Sequence, residues 1–171
     1  MRQYSKRTSI LHWLILVLII AAFFLGHELE ESKDAAQKLS LYPVHFIIGN
    51  LVLLLTLLRI YFRKIDGEPA PANENPLLNK LASLTHVVLN LTLVALAVSG
   101  VVTVASSGLL AALQGNDPAL IPDFEQVAAM GFHKLFIGVL VLLAVFHAAA
   151  AIYHQFIVKD NLMQRIMIKR F

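Results

Sequence analysis

The chain has 171 residues, 58% of them hydrophobic and only 15% charged, with a mean hydropathy of +0.71 and a net charge of +3. That is too apolar for an ordinary soluble domain of this length, and the apolar residues are clustered. There is no cysteine, which excludes disulfides and thiolate metal sites.

Four apolar runs stand out, at 10–26, 44–60, 81–105 and 127–158. Each reaches or approaches the ~20 residues that span a bilayer core, and the last two are long enough to tilt or project beyond it. The predicted spans are 8–27, 41–62, 78–105 and 127–158. The first follows Arg2, Lys6 and Arg7, as a secretory signal would. It lacks a convincing small-residue cleavage site and three more spans follow, so it reads as a retained helix.

The first connection, 27–43, is polar and acidic (HELEESKDAAQKLS) and is expected as a loop. The second, 64–79, contains Pro69, Pro71 and Pro76 and is expected to be irregular. Asn75-Pro76 fits the start of the third helix, since proline is tolerated in a first turn. In the third connection, 106–126, Gly115-Asn116-Asp117-Pro118 is a strong turn signal. A short surface helix is expected before it, at 109–113.

Basic residues set the orientation. Arg2, Lys6, Arg7, Arg59, Arg63, Lys64, Lys80, Lys159, Arg165, Lys169 and Arg170 fall on one side, and Lys33, Lys38 and Lys134 on the other. The positive-inside rule then places both termini in the cytoplasm. The fold class is all-α: a four-helix transmembrane bundle forming one domain over 1–171. The charge reflects topology, and no nucleic-acid partner is implied.

Histidine is the residue that carries chemistry here. His12, His45, His86, His133, His147 and His154 lie in or at the ends of the spans, and His27 reads as an ordinary surface residue. Ionisable groups in a bilayer are costly and mark ion paths, proton relays or cofactors. His147 lies fourteen residues beyond His133, about 21 Å along a helix, and His154 a further seven. Those spacings keep all three near one face. By topology His45 matches the depth of His133, and His12 that of His147. Two imidazoles facing across a bundle make a bis-histidine haem site, and two such sites stacked across the membrane make an electron wire. With no cysteine, covalent c-type attachment is excluded, leaving two haem b. The competing reading for any one of these histidines is a hydrogen-bonded structural role.

His86 and His154 fall outside the matched pairs and read as second-shell or substrate residues. For His154 the alternative is an interfacial side chain reaching water. Arg59 and Arg63, one turn apart, are candidates for haem propionates or plain topology anchors. Gly49 and Gly138 are small residues near the first ligand pair, which serve a flat macrocycle or helix packing alike. Trp13 reads as an interfacial belt residue.

The stretches SILHWLILVLI, YPVHFIIGNLVLLLTLLRI, THVVLNLTLVALAVSG and FHAAAAIYHQFIVKDNLMQRI resemble the bacterial cytochrome b-561 family over nearly the whole chain. The resemblance implies a four-helix di-haem protein of the bacterial inner membrane. It implies His12, His45, His133 and His147 as haem-iron ligands, in agreement with the depth argument. In the best-known member type, superoxide is oxidised on the periplasmic side and ubiquinone is reduced. The resemblance then associates His86 and His154 with the quinone site. One feature departs from the superoxide type: the outer loops carry Glu28, Glu30, Glu31, Asp34, Asp117, Asp123 and Glu125 against Lys33, Lys38 and Lys134. An anionic substrate calls for a positive outer face.

The expected function is electron transfer between a periplasmic donor, small molecule or protein, and ubiquinone. His86 and His154 would supply protons to the quinone. One competing class is a cytochrome subunit that only relays electrons for a separate dehydrogenase or hydrogenase. Another is a divalent-metal carrier, disfavoured because the spans contain no Asp or Glu.

Overall fold

The computed structural model describes residues 3–70 and 74–168; Arg2, Pro71, Lys169 and Arg170 of the sequence reading lie outside the described residues. Five α-helices follow in chain order: α1 Lys6–Glu31, α2 Ala35–Asp66, α3 Pro76–Ser107, α4 Leu109–Gly115 and α5 Ala128–Tyr153. The described residues form no strand. Four stretches are long and apolar enough to cross a membrane: α1, α2, α3, and α5 with the turn beyond it, Ala128–Val158.

Local signals explain the starts. The Ser5 hydroxyl accepts from the Thr8 amide to cap α1. The Asp34 carboxylate accepts from the Ala36 and Gln37 amides to cap α2. The Asn75 carbonyl oxygen accepts from the Leu77 amide at 2.9 Å, and Pro76 opens α3 as the sequence predicts. Gly108, at φ 83°, turns the chain from α3 directly into α4.

The first connection is not the loop expected. Helix runs through all of 27–43 except 32–34, so His27 belongs to α1 and Pro43 lies inside α2. The segment is rich in Glu, Leu, Ala, Lys and Gln, which are good helix formers. Its polarity marks emergence from lipid, and the helices simply continue. The same holds at the inner end of α2, which extends to Asp66.

α1 packs along α2, α3 along α5, and α2 against α3 joins the two pairs. Ile15, Val52, Leu93 and Leu140, one from each long helix, meet as a buried cluster at mid-bundle. Large apolar side chains such as Val17, Phe24, Phe146 and Phe156 point outward, each more than 60% exposed. On a soluble protein that would be an aggregation surface; on a membrane-spanning bundle it is the lipid face.

A second buried cluster gathers Leu39, Leu109 and Ala112, with Tyr42, Val104, Ile121 and Phe124 around it. α4 is the short surface helix expected: Leu110, Ala111 and Gln114 are exposed, while Leu109, 2% exposed, and the fully buried Ala112 anchor its other face beside Leu39 of α2. The Gly115–Pro118 turn does form as predicted. Asn116 adopts φ 48°, and Asp117 caps the 3₁₀ turn Pro118–Leu120.

Both ends of α1 are tied electrostatically, by Arg7 to Asp66 of α2 and by Glu30 to Lys134 of α5 at 2.7 Å. The segment after α5 folds back across the end of the bundle where α1 begins. Gln3 donates to the Gln164 carbonyl, the Tyr4 amide to that of Arg165, and Arg165 to that of Ala70. The Trp13 indole N–H donates to the Ile166 carbonyl at 3.0 Å. Trp13 is thus a structural donor as well as an aromatic near the interface.

Candidate functional site

At one end of the bundle, His45 of α2 faces His133 of α5. Their ring centroids are 6.3 Å apart and the rings are inclined at 77°. His133 Nδ1 lies 3.0 Å from the Leu96 carbonyl oxygen and 3.2 Å from Ser99 Oγ, both on α3. The Ser99 hydroxyl already donates to that carbonyl at 2.7 Å. A carbonyl can only accept, so Nδ1 carries the hydrogen and Nε2 keeps its lone pair, the arrangement of a metal-ligating histidine. His45 Nδ1 is buried without a hydrogen bond of normal geometry, although the Ala22 carbonyl of α1 lies within its reach.

A glycine on the neighbouring helix backs each ring. A β-carbon at Gly100 would stand 3.1 Å from His133 Cε1, and one at Gly26 would stand 3.2 Å from His45 Cε1. The sequence reading singled out Gly49 and Gly138, where nothing lies within 4 Å of a β-carbon, and missed Gly26 and Gly100. The close approaches to the rings are between helices, and a single sequence does not display them.

At the other end, His12 of α1 faces His147 of α5 at 6.4 Å and 75°. The depth match read from topology brings together both pairs of rings. This second group is larger than a pair, because His86 of α3 also meets His147, at 5.4 Å and 74°. Trp13 stands edge-on to His12 at 5.3 Å. These side chains do not converge on one point. Among the described residues, no group of three or more His, Asp or Glu has the arrangement to hold a bare metal ion.

Arg59 of α2 is half-buried within electrostatic reach of His12, His86 and His147, and its buried Nε lacks a hydrogen-bond partner. Ser9 Oγ, one turn before His12, and Thr56 Oγ1, one turn before Arg59, are also buried without partners. Arg63, the other arginine singled out, is committed elsewhere. It grips Glu68 with two hydrogen bonds, of 2.8 and 2.9 Å.

His154 does not sit in regular helix. It begins a wider, π-type turn, His154–Val158, that ends α5. Its Nδ1 lies 2.5 Å from Asp160 Oδ2, a partner the sequence reading missed. Partial burial works to raise the Asp160 carboxyl, but the bonds from His154 and the Leu162 amide outweigh it and hold the group below the usual carboxylate range. The described contacts join His86 to His147 and His154 to Asp160, and do not join His86 to His154.

Two imidazole nitrogens bound to one metal at about 2 Å each, with their ring half-widths added, set the ring centroids roughly 6.3 Å apart. The separations of 6.3 and 6.4 Å fit that spacing. The buried Nε of Arg59, with the Ser9 and Thr56 hydroxyls, fits the carboxylates such a group would bring.

Residues 3–169 match the sequence profile of the prokaryotic cytochrome b561 family. The Escherichia coli K12 protein named cytochrome b561 homolog 1 is 30% identical over 176 residues, covering 99% of each chain. Cytochrome b562 of Cereibacter sphaeroides is 30% identical over 173 residues, covering 98% of this chain and 96% of its own. A Yersinia pestis protein named "Probable superoxide oxidase CybB" is 26% identical over 176 residues, covering 99% and 98%. Apolar helices and facing imidazoles are what a membrane cytochrome needs, and with this match the chain belongs to the prokaryotic cytochrome b561 family, the haem-binding electron-transfer cytochromes of bacterial membranes.

Proposed function

We propose that the chain is a di-haem b cytochrome of the bacterial inner membrane that transfers electrons between a periplasmic donor and ubiquinone. In this reading residues 1–171 form one domain with both termini in the cytoplasm. The observation that carries it is the pair of near-identical histidine couples, at 6.3 and 6.4 Å, at opposite ends of one bundle. His45 and His133 would hold the outer haem, and His12 and His147 the inner one. Haem held by each couple would supply one-electron chemistry, and two imidazole ligands would suit electron transfer rather than oxygen binding.

The chain's own residues prepare each position. Leu96 and Ser99 fix the His133 ring through Nδ1. Arg59, with Ser9 and Thr56, would meet the propionates of the inner haem. His86, packed on His147, and His154, at the inner end of α5, would hydrogen-bond the quinone carbonyls. Quinone reduction takes up two protons with its two electrons, and imidazoles near cytoplasmic water are suited to hold them.

The donor follows from charge. Of the outer acidic residues, Asp34, Asp117 and Asp123 cap helical turns and Glu30 is paired with Lys134. The outer face remains net acidic, which favours a neutral or cationic donor over superoxide. The test is a visible spectrum of the purified protein before and after dithionite, followed by ubiquinone reduction by the isolated protein. A colourless protein would end the reading. A red protein that turns over only with a co-purifying dehydrogenase or hydrogenase would make it a relay subunit.

A further inference from the structure

The end of α5 is built in an unusual way around one carboxylate. After the π-type turn, Lys159 and Asn161 both adopt left-handed backbone, at φ 59° and 58°, in positions where glycine is usual. These two residues flank Asp160. The Lys159 amide closes back on the His154 carbonyl at 2.8 Å. The result swings the Asp160 side chain onto His154, with Oδ2 2.5 Å from Nδ1, while Oδ1 accepts from the Leu162 amide at 3.0 Å. The carboxylate is thus itself held in place. π-type turns and left-handed non-glycine residues are unfavourable locally, and they cluster where a side chain must be aimed. Ending a helix requires none of this, since a glycine at C′ would do it without strain. Arg165 is the other charge that acts on the carboxylate, and Tyr153 lies edge-on to the ring at 6.0 Å.

We propose that Asp160 is a positioning residue for quinone chemistry: it accepts the Nδ1 hydrogen of His154 and so leaves Nε2 as the atom presented to a quinone carbonyl. This rests on the assignment of His154 to the quinone site. The orientation matters because the two ring nitrogens are not equivalent. A carboxylate on Nδ1 fixes both the ring angle and the tautomer, and it stabilises the ring when Nε2 carries a proton to donate. The partial exposure of the pair, 30% for His154 and 27% for Asp160, gives the proton a path from cytoplasmic water.

The experiment uses the full-length protein with its haems, kept reduced by a chemical donor in excess while it turns over short-chain ubiquinone. Asp160→Asn is expected to lower kcat by about tenfold or more, the lower edge of a general acid–base effect. KM should stay within about twofold, and haem content and spectrum should not change. Asp160→Glu restores a carboxylate and should recover most of kcat. In a His154→Ala background, Asp160→Asn should cost nothing further, because its effect runs through the missing ring. Wild-type kcat in Asp160→Asn alongside a slow His154→Ala overturns the positioning role and leaves the quinone assignment standing. A fast His154→Ala removes the quinone assignment and this inference with it. If Asp160→Asn fails to assemble with haem, Asp160→Glu decides: a rate as low as that of His154→Ala, with haem intact, overturns the proposal.

Discussion

The ring of His133 rests against Gly100 of α3, so closely that a β-carbon at position 100 would stand 3.1 Å from Cε1 and 3.4 Å from Nδ1. The ring has little freedom to retreat, because Nδ1 is held by Leu96 and Ser99 of the same helix. Gly100→Ala is therefore expected to overpack the site and destabilise the protein by about 1–3 kcal/mol. Thermal melting would register the loss, and the reduced spectrum should change in its outer-haem component alone. An unchanged melt and spectrum would mean that α3 slides aside at no cost.

Two haems per chain are expected, both non-covalent. Acid acetone should extract all the colour, at a haem-to-protein ratio near two. His45→Ala should lose one spectral component and His147→Ala the other, since each couple draws on two helices at one depth. Loss of the same component in both variants would refute the pairing.

Arg59 places a half-buried positive charge within reach of His12, His86 and His147. A positive charge favours the reduced, less positive iron. Arg59→Gln should lower the midpoint potential of the inner haem by about 30–60 mV, half to one tenfold step in a one-electron equilibrium. The outer haem should not move. A redox titration followed in the visible range resolves the two, and an upward shift would contradict the sign.

The acidic outer face bears on the donor. An anion such as superoxide should meet it slowly, and faster as salt screens the repulsion beyond a Debye length of about 10 Å at 0.1 M. Pulse radiolysis across a series of ionic strengths measures this. A fast rate that falls with salt would show a positive focus within the acidic surface.

The histidine couples were legible because depth in a membrane follows from position along the chain. With four spans that alternate in direction, a residue number becomes a height, and His45 lies level with His133. What stayed hidden was lateral. His86 matched no vacant partner by height, and its contact with His147 depends on α3 lying beside α5. The glycines behind the rings are on neighbouring helices for the same reason. Asp160 was missed because its approach to His154 requires left-handed backbone at lysine and asparagine, which no local preference announces for Lys159. The outer loop failed as a prediction because polarity was taken for irregularity, although Glu, Ala and Gln continue a helix readily.

The end of the bundle that holds His12 and His147 is fastened by residues far apart in sequence. Gln3, Tyr4 and Trp13 are made more than 150 residues before their partners Gln164, Arg165 and Ile166. During synthesis, α1 enters the membrane with its indole and amide donors waiting for acceptors that do not yet exist. Until the turn at 164–166 docks, the contacts that close this end of the bundle beside His12 are unmade. A domain inserted directly after residue 166 should keep them from forming, while one tethered further along should leave them free to form.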